Sequence, residues 1–267
     1  MTSEHPPSGR GAIVDPRHVA LVREGAAGVD RFQFIVEKTR GKDVLDIGCV
    51  AHSLEAAEAG PWLHGEIRKS AKSLLGVDVL EAPIAALAAK GFEVVCGDVE
   101  ALSLGRKFDV IVCGDVVEHV FNLAGFFRSL RGHLREGGVA IISTCNPFYV
   151  DQFLACLIKG FPLVNPSHVC WYDPFTFFHC ADHFGFEVTE FCWLKDEFRL
   201  RDAITVTAEH PYDVFSQGWV GETLAQKVRR RVVQAAFGAL SWPLRSLLKR
   251  RSLLHSSYLA VLAPLED

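Results

Sequence analysis

Three short apolar segments that end in an acidic residue constrain the fold of this chain most strongly. Asp46, Asp78 and Asp98 each lie at or just after the end of such a segment. The first segment, residues 43–47, is followed by Gly48, where a backbone without a Cβ can turn and let a ligand approach. Helical patterns separate the segments, and this alternation predicts a parallel sheet that binds its ligand at the carboxyl ends of its strands.

The alternation of strand and helix continues beyond Asp98. We predict an α/β, Rossmann-like, doubly wound fold with a seven-stranded sheet, which is mostly parallel with a reversed last strand and has helices on both faces. The strands are expected at residues 43–47, 74–78, 92–96, 108–113, 139–143, 186–194 and 258–263.

The chain has 267 residues, enough for one large domain with an appendage. Its net charge of −4 gives no general argument for nucleic acid, and no apolar run is long enough to span a bilayer. The eight cysteines are scattered, as is typical of reduced thiols in a cytoplasmic protein, and the N-terminus lacks the apolar region of a signal peptide. We expect a flexible arm at 1–16, a core at 17–194, an insertion at 195–257, and the last strand with a tail at 258–267.

The ordered set of motifs resembles the class I S-adenosylmethionine-dependent methyltransferases, most closely the group that contains the ubiquinone-biosynthesis O-methyltransferases. The matching segments are Val-Leu-Asp-Ile-Gly-Cys (44–49), Leu-Gly-Val-Asp (75–78), Cys-Gly-Asp-Val (96–99), residues 108–120 and residues 134–143. The resemblance covers roughly residues 42–194. It implies a methyltransferase that uses S-adenosyl-L-methionine as its cofactor.

The resemblance also implies which residues hold the cofactor. They are Asp46, Gly48, Cys49, Asp78, Val79, Asp98, Val99, Gly114 and Asp115. Asp46 would lie at the methionine end, Asp78 would receive the ribose hydroxyls, and Asp98 would receive the adenine amino group. From the residues alone, a simpler interpretation stays open, in which these aspartates only cap the helices that follow.

The loop after Gly48 departs from the family pattern. Val50 and His52 stand where the family usually has glycines. Because valine adopts a positive φ only at a cost, we expect this loop to have a different shape. The segment Trp62-Leu63-His64 (62–64) lies in an unusually long connection and is expected to cover the cofactor or the entrance for the substrate.

An oxygen nucleophile needs a general base near neutral pH, and histidine suits that role. His119 and His168 are the candidate catalytic residues, ahead of His52 and His64. The alternative for His119 is structural, because the Glu-His pair of the family often caps a helix.

Aromatic residues after the predicted strands suggest a substrate pocket. The substrate candidates are Phe148, Tyr149, Trp171 and Tyr172, with ordinary loop packing as the alternative. The run Asn-Pro-Phe-Tyr at 146–149 resembles a signature of amino methyltransferases that act on DNA bases. That signature follows the fourth strand, whereas this run follows the fifth predicted strand, and we therefore reject that function. His179, Cys180 and His183 share a predicted helix but lack acidic partners, so we predict no metal site.

Residues 223–251 form a basic amphipathic segment. Three interpretations stay open: a helix packed on the domain, a helix at an anionic membrane surface, and a contact with nucleic acid. We expect a cytoplasmic O-methyltransferase that acts on a small-molecule, glycan or lipid-linked acceptor. If residues 223–251 bind anionic lipid, the enzyme lies at the inner face of the membrane. The alternative is a non-catalytic methyltransferase-like binding module. A nicotinamide-dependent oxidoreductase is disfavoured because no Gly-x-Gly-x-x-Gly follows the first strand.

Overall fold

The computed structural model describes residues 15–50, 61–150, 167–195 and 254–266, together with 152, 156 and 165. The α-helices within these ranges are α1 (Pro16–Glu24), α2 (Arg31–Thr39), α3 (Leu63–Arg68), α4 (Glu81–Ala89), α5 (Leu123–His133) and α6 (Pro174–His183). The strands are β1 (Ala26–Val29), β2 (Asp43–Ile47), β3 (Ser73–Asp78), β4 (Val94–Cys96), β5 (Phe108–Gly114), β6 (Leu134–Cys145), β7 (Phe186–Leu194) and β8 (Ser257–Pro264). Short 3-10 helices cover Val99–Ala101 and Val117–His119.

The described strands form one sheet in the order β1-β7-β8-β6-β5-β2-β3-β4. Only β8 runs antiparallel to its neighbours, β6 and β7, so the predicted reversed last strand is confirmed. The strand order reverses between β2 and β5, which pair directly with each other. In a doubly wound sheet, the ligand crevice lies at such a reversal, outside the carboxyl ends of the strands.

The predicted number of seven strands is wrong, because the sheet has an eighth strand, β1. It pairs in parallel with the edge of β7, opposite Cys192 to Leu194. Its sequence, Ala-Ala-Gly-Val, has only one β-branched residue, Val29, and its Gly28 has a positive φ of 71°. Local pattern therefore gives no strand signal here, and the pairing with β7 determines the conformation.

Apolar side chains cover both faces of the sheet, as the doubly wound fold requires. Strand β2 is buried throughout, and its successive side chains point to opposite faces. Leu45 belongs to the larger core cluster, which includes Phe127 of α5 and Phe177 of α6. Val44 belongs to the cluster on the other face, with Ile35 of α2 and Ile67 of α3. The prediction of helices on both faces is confirmed.

Much of the predicted domain division lies outside the described residues. This applies to nearly all of the arm at 1–16 and to residues 196–253, which include the basic segment 223–251 and most of the proposed insertion. Helix α1 begins at Pro16, with the Asp15 carboxylate accepting a hydrogen bond from the backbone N–H of Arg17. Within the described ranges, no helix has the length and apolar character needed to cross a membrane.

Candidate functional site

A cleft of about 910 Å³ opens at the carboxyl ends of β2, β3 and β5. The start of α2 and residues 61–66 form its other walls. Of the residues predicted to bind a cofactor or to act in catalysis, those lining the cleft are Asp46, Gly48, Cys49, Asp78, Val79, Val99, Gly114, Asp115 and His119. The parallel sheet brings these residues together although they span more than 70 positions of the chain.

The turn after β2 depends on the absence of a side chain at Gly48. Its φ is +77°, and its N–H donates to the carbonyl of Val77 at 2.8 Å. A Cβ at this position would lie 2.5 Å from Cγ2 of Val116. Glycine is therefore needed for both the backbone conformation and the open floor of the cleft.

Backbone N–H groups fix the carboxylate of Asp78. The N–H of Val50 donates to Oδ2 at 3.0 Å, and the N–H of Leu80 donates to Oδ1 at 3.2 Å. Asp115 is the one non-glycine residue with a positive φ in the described part of the chain, so Val50 avoids that conformation. The side chain of Val50 is instead buried in a small apolar cluster with Cys49. Residue 52 lies outside the described residues.

Asp98 has a different environment from Asp46 and Asp78. Its carboxylate is exposed and accepts from the N–H of Glu100 at 2.9 Å, which caps the 3-10 helix Val99–Ala101. Val99 and Gly97 line the cleft, whereas Asp98 does not. For Asp98 the capping interpretation thus describes the observed contact, and its role toward adenine stays a prediction.

A buried histidine that sequence reasoning ranked low lies beside Asp46. Nδ1 of His64 is 2.8 Å from Oδ2 of Asp46, and the two side chains are 1% and 4% exposed. A carboxylate only accepts hydrogen bonds, so Nδ1 of His64 carries the proton. The segment 62–64 lines the cleft, as the expected cover would.

Asp115 is held in a left-handed conformation by three contacts. Its φ is +56°, its N–H donates to the carbonyl of Ser143 at 3.0 Å, and the Ser143 hydroxyl donates to its Oδ1 at 3.0 Å. Arg31, at the start of α2, forms an ion pair with Oδ2 across the cleft. No sequence motif marked Arg31, because 84 positions separate it from its partner.

His119 lines the cleft and has a defined tautomer. Its Nδ1 is 3.0 Å from the carbonyl oxygen of Ser167, which can only accept, so Nδ1 carries the proton and Nε2 is the acceptor of the neutral ring. The ring of His168 packs edge-on against it, with centroids 4.7 Å apart. His168 lies outside the lining of the cleft, and its Nδ1 is 3.9 Å from Sγ of Cys145.

Comparison with known proteins gives the family of this chain. Residues 21–190 match a family model described as a methyltransferase domain. The chain belongs to this methyltransferase family. It is 24% identical to the ubiquinone biosynthesis O-methyltransferase of Rickettsia canadensis over 199 residues, 66% of this chain and 80% of that protein. It is 30% identical to that of Rickettsia felis over 146 residues, 50% of this chain and 56% of that protein.

Solved structures support the same fold. A SAM-dependent methyltransferase from Archaeoglobus fulgidus matches with a TM-score of 0.52 and 18% identity, covering 87% of this chain and 90% of that chain. An S-adenosylmethionine-dependent methyltransferase from Clostridium acetobutylicum matches with a TM-score of 0.51 and 14% identity, covering 94% of this chain and 97% of that chain. At these identities the likeness concerns the fold, and it agrees with the doubly wound sheet described above.

A buried carboxylate lies beside the two histidines of this methyltransferase. Burial raises the pKa of Glu118 to about 8, and the negative charge of Asp115 adds to the rise. The hydroxyl of Thr144, which donates to Oε2 at 2.9 Å, and the charge of Arg31 act in the opposite direction and lower the pKa of Glu118.

Ligand atoms of Glu118, His119 and His168 lie within 4.8 Å of one another, a set that could hold a divalent cation. The sequence predicts no metal, and that statement stays a prediction.

The four substrate candidates lie away from the cleft lining. Phe148 is 61% exposed, whereas Tyr149 and Tyr172 are buried and Trp171 is partly buried. The side chain of Asn146 donates to the carbonyl of His255 and accepts from the N–H of Phe148, so it holds the loop after β6. The role of these four residues toward a substrate stays a prediction.

Proposed function

We propose that this methyltransferase transfers a methyl group from S-adenosyl-L-methionine to an oxygen atom of a small-molecule acceptor, with His119 as the general base. The observation that carries the proposal is the position of His119. It lines the same cleft as Asp46 and Asp78, and its Nδ1 is engaged by Ser167, which leaves Nε2 available to accept a proton. A histidine with a fixed tautomer in this position suits deprotonation of a hydroxyl group near neutral pH.

The residues of the cleft fit the cofactor chemically. S-adenosylmethionine, when bound, supplies a methyl group activated by a positively charged sulfur. The carboxylate of Asp78, already oriented by two backbone N–H groups, retains lone pairs for ribose hydroxyls. Asp46 offers a buried negative charge to an ammonium group, and the turn at Gly48 lets the ligand approach the main chain.

The acceptor site of this proposal lies on the same edge of the sheet. Burial raises the pKa of Glu118, the residue before His119 in the chain, and so favours its uncharged form near neutral pH. Phe121 and Phe148, which follow strands that end at this edge, are 83% and 61% exposed. An aromatic or otherwise apolar acceptor would cover such side chains. The named Rickettsia relatives are O-methyltransferases of ubiquinone biosynthesis, and we include phenolic acceptors for that reason.

Finer statements about the acceptor and location are also part of the proposal. We include glycans and lipid-linked biosynthetic intermediates as acceptors, and a cytoplasmic location at or near the inner membrane face. The basic segment 223–251 motivates both, since basic amphipathic segments bind anionic lipid. The rival function is a non-catalytic binding module, which would bind the cofactor without turnover or fail to bind it.

Calorimetric titration with S-adenosylmethionine and S-adenosylhomocysteine tests the cofactor site. Asp78→Asn should weaken both ligands at least tenfold, because a charged hydrogen-bond acceptor is lost. Asp109→Asn is the matched control, since Asp109 lies at the opposite end of β5 and contacts Arg135. Absence of binding to the unaltered protein would overturn the proposal.

Transfer of labelled methyl groups to catechols, saccharides and prenylated phenols then tests the chemistry. We expect His119→Gln to lower turnover about 100-fold or more while cofactor affinity stays unchanged. His183→Gln, on the exposed side of α6, is the control and should be active. Transfer to nitrogen rather than oxygen, or full activity of His119→Gln, would contradict the proposed role of His119.

A further inference from the structure

The buried pair of Asp46 and His64 forms part of the cleft wall. Asp46 comes from the end of β2, whereas His64 comes from α3, in the connection between β2 and β3. Both residues line the cleft, and both side chains are nearly inaccessible to solvent. Among the described residues, the hydrogen bond from Nδ1 of His64 to Oδ2 is the one that the Asp46 carboxylate receives.

The surrounding structure is shaped to hold the ring of His64. A Cβ on Gly76, in β3, would lie 2.7 Å from Cε1 of His64, so the sheet leaves room for the ring by omitting a side chain. On its other sides the ring packs against Trp62 and Phe92, with centroid distances of 5.1 and 6.1 Å. The ring is therefore confined within its pocket by its neighbours.

Trp62 connects this pocket to the loop after β2. Its indole Nε1–H donates to the carbonyl of Cys49 at 2.7 Å. The segment that supplies His64 is thereby attached to the same loop that follows Asp46 and Gly48. The segments that carry the donor and the acceptor are thus joined by the Trp62–Cys49 hydrogen bond as well as by the His64–Asp46 hydrogen bond itself.

A buried carboxylate with two oxygens can divide its hydrogen bonds between protein and ligand. Oδ2 of Asp46 is occupied by His64, and no described residue donates to Oδ1. A neutral histidine satisfies one oxygen without cancelling the negative charge. The remaining charge, in a cleft of low polarity, attracts a primary ammonium group strongly.

We propose that His64 is a positioning residue that fixes the Asp46 carboxylate for the ammonium group at the methionine end of the cofactor. This inference rests on the cofactor role of Asp46 in the proposed function. Without the hydrogen bond from His64, the carboxylate rotates about its side-chain torsions and loses its orientation toward the ligand. The effect is confined to ligands that carry the ammonium group.

Two ligands separate positioning from general support of the fold. S-adenosylhomocysteine carries the amino acid end, whereas 5′-methylthioadenosine has the nucleoside and sulfur but no ammonium group. His64→Leu removes the donor at similar volume, and we expect about tenfold weaker binding of S-adenosylhomocysteine. Binding of 5′-methylthioadenosine should change by less than about twofold, since its contacts do not involve Asp46.

Rescue and control variants complete the experiment. Asparagine carries an N–H donor close to the position of Nδ1, so His64→Asn should restore S-adenosylhomocysteine affinity to within about threefold. His133→Leu is the matched control, because His133 is another buried histidine with two hydrogen bonds, outside the cleft lining. It should lower the melting temperature and leave the ratio of the two affinities unchanged.

Two results would overturn the inference: equal weakening of both ligands by His64→Leu, or unchanged binding of S-adenosylhomocysteine. If His64→Leu does not fold, His64→Gln is the substitute, because its donor lies one bond further out. It should lower the affinity for S-adenosylhomocysteine relative to that for 5′-methylthioadenosine. Asp46→Asn separates the two proposals. If it leaves the ratio unchanged, the cofactor role of Asp46 fails; if it lowers the ratio and His64→Leu does not, only the positioning role fails.

Discussion

Replacing Gly48 by alanine should destabilise the protein for two separable reasons. An alanine at φ +77° costs about 1–2 kcal/mol of backbone strain. The new Cβ would also lie 2.5 Å from Cγ2 of Val116, and such overpacking costs about 1–3 kcal/mol. We therefore expect the free energy of unfolding of Gly48→Ala to fall by about 2–5 kcal/mol in urea denaturation.

Gly91 provides a matched control for the strain alone. Its φ of +80° is similar, but a Cβ there would meet no atom within 4 Å. Gly91→Ala should therefore cost only the backbone strain, about 1–2 kcal/mol. The difference between the two glycine variants measures the steric overlap at Gly48.

A double-mutant cycle then assigns that overlap to Val116. Val116→Ala removes Cγ2, so the Gly48→Ala and Val116→Ala changes together should cost about 1–2 kcal/mol less than the sum of the single changes. A coupling energy below about 0.5 kcal/mol would refute the assignment of the overlap to Val116. Equal losses in Gly48→Ala and Gly91→Ala would refute the overlap itself.

Three further predictions concern buried side chains. Because the pKa of Glu118 is raised from 4.5 to about 8, the folded protein retains a proton that the unfolded chain releases, and the free energy of unfolding falls as pH rises through that window. Glu118→Gln should remove this part of the fall in urea denaturation at pH 5 to 9, and an unchanged slope would contradict it. Phe127→Ala, fully buried between α5 and the sheet, should cost about 3–5 kcal/mol in the same assay, and a loss below about 1 kcal/mol would contradict its core role. Tyr258→Phe removes the hydrogen bond to the carbonyl of Tyr172 and should cost about 1 kcal/mol, with a fully neutral change as the contrary result.

The strand-ending residues could be predicted because their positions follow from the sheet. Once 43–47 and 74–78 are adjacent parallel strands, Asp46 and Asp78 must lie near the same edge, and the register pairs Asp46 with Gly76. The buried strands could also be predicted, because each is a short run of apolar residues. These inferences depend on local pattern and on one rule of topology.

Other features depend on contacts between distant segments and could not be predicted in this way. Strand β1 exists because β7 offers it a pairing edge, and its own residues carry no strand pattern. The ion pair of Arg31 with Asp115 depends on where α2 crosses the cleft. His64 lies on a six-residue helix, and the pocket that holds its ring is completed by Gly76 and Phe92, which come from other segments.

The position of β8 has a consequence for the order in which the chain folds. β8 lies between β6 and β7, and in the described sheet β7 and β1 reach the other strands only through it. On the ribosome, strands β2 to β6 can assemble early, but β7 and β1 must wait until residues 257–264 have been synthesised. Until then β6 presents an open edge, and the nascent chain is most exposed to aggregation during that interval.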